Sequence, residues 1–264
     1  GHYSDEFAES HAKSLVFRDA IGAAIPAAGV GCGFSRETFR KLAQVRMERG
    51  ERGPFAAECL TEDYELGLIV SHLGGHGRFV RMVDQASGLV ATRSYFPADL
   101  EAAVRQKTRW IHGIALQSWD RMGWTGRLVD IWMAARDRRG PLAAVVLAAA
   151  YVLVPIELVL GVARANDLLA PLATSPIERG MMAVCLISVL WRAAFRFAFT
   201  AREYGVAEGV RAILRLPVGN VIAILAARRA ILAYVRSLTG GEIVWDKTTH
   251  TIHPASALPH GRSL

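Results

Sequence analysis

The sequence predicts an α/β half-domain that gives way to interfacial helices and then to an α-helical transmembrane hairpin. Three observations carry this expectation. The first hundred or so residues alternate polar, helix-compatible stretches with short apolar runs punctuated by glycine. Apolar residues then concentrate after Pro141, in a chain of 264 residues that is 52% hydrophobic with a mean hydropathy of +0.24. The 22 residues Leu142–Ala163 are broken only by Glu157, and at ~1.5 Å per residue such a run spans a bilayer core of ~30 Å. The divisions expected are therefore 1–97, 98–140, 141–200 and 201–264.

Within 1–97, Ser4–Ala12 is polar and helix-compatible, and Ile21–Gly33 is small and apolar, as a buried strand entering a loop would be. The spacing predicts a helix over Ser35–Met47, with Ser35 as N-cap. A second helix begins at Thr61, which can cap it, and Glu62 and Asp63 suit the positive end of its dipole. Ser71–Arg78, with three glycines, reads as a loop. His72 and His76 have metal-like spacing there, but the glycines argue against a helix holding them and no other ligands accompany them. Phe79–Val83 and Leu89–Phe96 read as two short strands with Gly88 between them. A helix over Ala98–Trp119 follows, with Pro97 at its first position, where the missing N–H costs nothing.

Trp119, Trp124 and Trp132, leading to Arg136-Asp-Arg138-Arg139, form a basic aromatic belt suited to a membrane interface. Arg138 and Arg139 mark the start of the first span as cytoplasmic. A second span is expected over Ile177–Thr200, carrying Arg192 and Arg196. An antiparallel hairpin would bring Arg192 within reach of Glu157, and an unpaired charge at that depth is costly, so the two are expected to pair. In 201–237, Pro217 and Gly219 divide an arginine-rich amphipathic stretch into two helices on the cytoplasmic side, a third span being the weaker alternative.

The formal net charge is +7 and the pI about 9.7. Much of the arginine flanks apolar runs, which favours a lipid bilayer as partner over nucleic acid. Cys32, Cys59 and Cys185 are odd in number and widely spaced, which disfavours a disulfide framework and a zinc site and fits a reducing compartment.

Two short motifs carry chemistry. Gln106, Arg109 and Trp110 lie at i, i+3 and i+4, on one face of a helix. They offer an amide, a cationic fork suited to a diphosphate, and a flat indole suited to the apolar face of a sugar. An ordinary amphipathic helix with Trp at a membrane interface would have the same spacing. Glu62 and Asp63 can serve as helix-terminal acids, or one of them can take a proton from a sugar hydroxyl. Gly29-Val-Gly31-Cys32-Gly33 lacks dinucleotide-fingerprint spacing. It is either a tight connection or a loop whose backbone approaches a ligand.

Thr61-Glu-Asp63 and Gln106-x-x-Arg109-Trp110, in that order and followed by membrane helices, resemble the family 2 membrane glycosyltransferases. The similarity is closer to the bacteriophage adsorption protein B type of inner-membrane glycosyltransferase, and covers most of residues 3–254. Its carriers are Tyr3–Glu9, Ala28–Gly31 with Phe34–Arg36, Val90–Arg93 with Tyr95–Pro97, Gly113–Gln117, and Trp245–Thr248 with His250. The resemblance implies the acceptor half of a GT-A-like domain. Asp63 would be the general base, Gln106 and Arg109 would hold the nucleotide diphosphate, and Trp110 would be the acceptor platform. Glu62 and the loop residues Gly31, Cys32, Gly33 and Ser35 would line the acceptor end. It further implies inverting transfer from a nucleotide-sugar, commonly a UDP-sugar, to a glycan acceptor, with magnesium or manganese as cofactor. The setting implied is the bacterial inner membrane, with the catalytic part cytoplasmic and an export partner in the periplasm or outer membrane. No Asp-x-Asp occurs in the chain. The metal and donor site is therefore expected upstream, this piece alone is expected to be inactive, and its opening at Gly1 reads as mid-domain. The alternative function is a non-catalytic anchoring or assembly subunit.

Overall fold

The computed structural model describes residues 1–48, 50, 55, 59–85, 88–92, 94, 96–124 and 126–241. The tail carrying Trp245 and His250, and Arg93 and Tyr95, lie outside them. The chain divides into two compact units, Gly1–Ser14 with Leu142–Ile224, and Leu15–Pro141 with Leu225–Leu264.

The second of these units contains α2 (Leu15–Ala20), α3 (Arg36–Glu48), α4 (Glu62–His72), α5 (Leu100–Ile111), a π-helical segment His112–Gln117, α6 (Ser118–Met122) and α7 (Leu128–Arg138). The α3 start is as the sequence predicts: the Thr38 N–H donates to Ser35 Oγ at 3.1 Å. The expected Ala98–Trp119 helix is present as α5 and its π continuation, but Pro97 precedes it. The N-cap is Asp99, whose carboxylate accepts from the Ala102 N–H.

The unit is mostly helical with few strands, so the α/β expectation holds only in part. Among the described residues the only sheet is an antiparallel pair, β1 (Val83–Asp84) with β2 (Gly88–Leu89). Val80, Met82, Val83 and Val90 are exposed, so neither segment has a packed face to extend the ladder. The expected strand Ile21–Gly33 is irregular chain, with a turn at its start and bends at Gly29–Gly31, and it joins no ladder among the described residues. Part of it lies on α4 instead, where a Cβ at Gly67 would stand 2.3 Å from the Ala27 backbone nitrogen. Ser71 and His72, expected in a loop, complete α4.

Ala24, Tyr64 and Leu68 form the core beneath α4, with Ile114 and Met122 against them. A polar network encloses it. Arg18 forks onto Asp137 (2.8 Å), which also accepts from the Tyr64 hydroxyl at 2.7 Å. Asp130 accepts from the Ala24 N–H at 2.7 Å and pairs with Arg127 at 2.8 Å, and Glu65 takes Arg121 at 3.0 Å. Arg138 stacks over Trp124 at 4.6 Å and donates to the Gly123 carbonyl, giving the expected basic aromatic belt a defined geometry.

The last helix, α10 (Val206–Leu238), supplies Leu225–Leu238 to this unit. Arg229 holds Glu101 with both guanidinium nitrogens (2.8 and 3.0 Å), and the Tyr234 hydroxyl donates to Asp120 at 2.8 Å. These bonds seat α5 and α6 on the end of α10.

The other unit contains α1 (His2–Glu9), most of α8 (Gly140–Ala165), α9 (Pro176–Tyr204) and α10 up to Ile224. Three helical stretches are long and apolar enough to cross a membrane: Leu128–Ala165, Pro176–Tyr204 and Val206–Leu238. The hairpin expectation therefore becomes three candidate spans, and the pair of helices expected after Thr200 is one continuous α10 with Pro217 inside it. Pro removes one backbone bond, but in an apolar setting breaking the helix would leave several more unmet. Ser175 caps α9 in a full capping box with Glu178, with Pro176 at its first position.

The expected Glu157–Arg192 pair is not formed. Glu157 takes Arg164 at 3.1 Å, two turns along its own helix. Arg192 donates to Asn220 Oδ1 at 3.0 Å, and Asn220 donates to the Tyr151 hydroxyl at 3.1 Å, linking α8, α9 and α10. Arg196 pairs with Glu9 (3.2 Å), and Arg215 with Asp5 (2.7 Å) and Glu208 (3.1 Å).

Candidate functional site

The site forms where the start of α4 meets the loop before α3 and the C-terminal half of α5. Thr61 occupies the N-cap position of α4, but its hydroxyl makes no capping bond, which corrects the sequence expectation. Asp63 follows in the first turn. It is half-buried, and the Tyr64 N–H donates to its Oδ1 at 2.8 Å. Burial holds the Asp63 carboxyl above its ordinary pKa. The neighbouring Glu62 charge pushes the same way, while the Tyr64 N–H and the Arg109 guanidinium pull it down.

The glycine loop lies over this carboxylate. Gly29 has φ +72°, and a Cβ there would stand 2.9 Å from Asp63 Oδ2. A side chain is excluded both by the left-handed backbone and by the acid beneath it. Two residues on, a Cβ at Gly31 would meet Thr92 Cγ2 at 3.7 Å. Gly31, Cys32, Gly33 and Ser35 are exposed along the open side of the loop.

Arg109 and Trp110 are half-buried on the last turn of α5. The Arg109 Nε–H is shielded from water and meets no acceptor among the described residues. Leaving a buried donor unmet costs about 1–3 kcal/mol, and an anionic oxygen on a ligand would recover it. Trp110 meets Phe96 edge to face at 6.3 Å, which fixes the indole's orientation. Gln106 differs from its motif partners. It is 5% exposed, on the packed face with Ala102, Ala103 and Val104.

The structure thus brings Asp63, Arg109 and the Gly29 loop together, with Trp110 beside Arg109 in the chain. Gln106 sits inward, and Gly33 and Ser35 lie toward the rim. Sequence reasoning named Gly29, Thr92 and Phe96 only as members of motif runs and gave none of them a role of its own. Gly29 belongs to a run already singled out for close backbone approach, whereas no local pattern says what Thr92 or Phe96 touches.

Among the described residues no three His, Cys, Asp or Glu side chains gather to hold a metal ion. The described residues therefore do not supply a divalent-ion site.

A family model described as Glycosyl transferase family group 2 matches residues 1–163. The chain belongs to that family. Bacteriophage adsorption protein B of Escherichia coli strain K12 is 34% identical over 272 residues, covering 94% of this chain and 36% of that protein. Bacteriophage N4 adsorption protein B of Escherichia coli O157:H7 matches with the same figures. The chain spans about a third of the length of these curated relatives. No solved structure matches.

Proposed function

We propose that this chain is the acceptor half and membrane anchor of an inverting glycosyltransferase. It would transfer a sugar from a nucleotide-sugar, with a UDP-sugar as the expected donor, to a glycan acceptor at the cytoplasmic face of a bacterial inner membrane. Asp63 accepts the proton of the acceptor hydroxyl. The freed oxygen attacks the anomeric carbon from the face opposite the leaving diphosphate, the carbon–oxygen bond to the diphosphate breaks, and the configuration inverts. Arg109 stabilises the charge that builds on the departing phosphate oxygen. Gln106 supports Arg109 from the packed face of α5, Trp110 offers its ring to the acceptor sugar, and Glu62, Gly31, Cys32, Gly33 and Ser35 line the acceptor end. The ligands of a magnesium or manganese ion are assigned to sequence upstream of this chain.

The observation that carries the reading is the pairing of opposites at one place. Asp63 has its pKa raised by burial and stands close enough to feel Arg109, whose Nε–H is shielded and without an acceptor among the described residues. The relatives' name refers to phage adsorption, which fits a product or export partner exposed at the cell surface. The test is Asp63→Asn in membranes carrying the full protein. Transfer should fall about 10²–10⁴-fold with membrane insertion unchanged, as loss of a positioned base predicts. Turnover within a few-fold of the parent would leave only the anchoring role.

A further inference from the structure

Beyond the two motifs, the contact between the π segment and the start of α4 has its own geometry. Gly113 is the second residue of His112–Gln117. A Cβ on it would stand 2.4 Å from Thr61 Oγ1, 2.6 Å from Thr61 Cγ2 and 3.0 Å from Thr61 Cβ. All three are side-chain atoms of one short, branched residue that is itself only 4% exposed. Thr61 has no long flexible end to swing aside, so any side chain at 113 must displace it. The Thr61 hydroxyl at this contact is buried and has no hydrogen-bond partner among the described residues.

One turn on, Gln117 Oε1 accepts from the Leu60 N–H at 3.0 Å. Leu60 is buried, as is Cys59 before it, so this amide has no water to fall back on. Gly113 and Gln117 therefore grip consecutive residues, Leu60 and Thr61, immediately ahead of Asp63. His112 anchors the segment from the other side, with its ring 6.2 Å from that of Tyr234, edge to face. π segments are uncommon and occur most often where a helix does a specific local job. Here the segment follows directly on the turn that bears Arg109 and Trp110.

We infer that Gly113 and Gln117 are positioning residues, and that the π segment sets the register between Asp63 on α4 and Arg109 and Trp110 on α5. Neither residue touches the reacting atoms. They fix where the acid stands relative to the cation, and misplacement by about 1 Å is worth on the order of 10²-fold in rate. This inference rests on the proposed role of Asp63.

The experiment compares Gly113→Ala, Gln117→Leu, Thr61→Ala and the double variant Gly113→Ala/Thr61→Ala in membranes carrying the full protein, with Asp63→Asn in the same assay. Gly113→Ala should lower kcat on the order of 100-fold, leaving the KM for nucleotide-sugar within about twofold. Thr61→Ala frees the space that the new methyl needs, so the double variant should recover at least about tenfold of that loss. Gln117→Leu keeps the volume and loses the acceptor, and should lower kcat about tenfold with KM unchanged. A thiol reagent gives a readout independent of activity. Cys59 is fully buried, and its own peptide, read by mass spectrometry, should label faster in Gly113→Ala than in the parent. Parental kcat in Gly113→Ala, or a loss that Thr61→Ala does not relieve, would overturn the inference. Retained transfer in Asp63→Asn overturns the proposed base instead, and is read separately.

Discussion

In the unit built from Gly1–Ser14 and Leu142–Ile224, several charges on the apolar helices have partners. Arg196 meets Glu9, Arg215 meets Asp5 and Glu208, Glu157 meets Arg164, and Arg192 meets the Asn220 amide. In the other unit, Arg18, Arg121 and Arg127 are equally well matched to carboxylates, yet among the described residues Asp63 and Arg109 are in no ion pair. The difference teaches where to look for a ligand. A charge in an apolar helix is costly unless it is met, so partners there are structural. A half-buried acid and a cation with a shielded N–H, neither paired with a charge among the described residues, are candidates to meet charge on a ligand.

Breaking a structural pair should have the largest effect on folding. Arg215→Leu leaves Asp5, which is 2% exposed, as an uncompensated carboxylate. It should destabilise the protein by about 3 kcal/mol. Thermal unfolding in detergent measures this, with Arg211→Leu, an exposed residue, as the near-neutral control. A similar loss in both would mean that the Asp5 pair is no more structural than a surface contact. The middle-sized effect belongs to the ligand side. Trp110→Ala should raise the acceptor KM about tenfold through lost stacking, and should spare hydrolysis of the donor by water. Equal loss of both activities would argue against a sugar platform.

The smallest effect concerns pH. Transfer needs Asp63 ionised, and burial raises its pKa, so the acidic limb of kcat should lie above the pH of an ordinary carboxylate. Glu62 contributes to that elevation, so Glu62→Gln should move the limb to lower pH. Movement to higher pH, or none, would assign the limb to another group.

Local signals were enough for much of this. Ser35 capping α3, the acids opening α4, the long helix bearing the Gln-x-x-Arg-Trp motif and the first apolar span are each written within a dozen or two residues. Order along the chain was enough to expect the two motifs near one another, and Asp63 does lie close enough to feel the Arg109 charge. Pairings across distance were not legible. Asp5 and Arg215 are 210 positions apart, and no periodicity says that one acid near the start will meet that arginine. Nothing local marks Asn220 as the link between Arg192 and Tyr151. Pro217 does not break the helix, because continuity keeps the surrounding backbone bonds in an apolar setting. Gln106 shares helical spacing with Arg109 and Trp110, but a helix face is broad, and its neighbours Ala102 and Ala103 turn that side of α5 inward. The strand expectation failed for want of a packed face, a tertiary property that alternation along one segment does not report.

The most direct test of the contrast between the two units is nucleoside-diphosphate binding. UDP would be titrated against the full protein and against Arg109→Gln and Arg192→Gln. Both substitutions remove one guanidinium from a helix. The account predicts that Arg109→Gln weakens binding about tenfold or more, as loss of a charge-assisted contact should, and that Arg192→Gln leaves it unchanged. Equal affinities for Arg109→Gln and the parent, or a larger loss in Arg192→Gln, would contradict it.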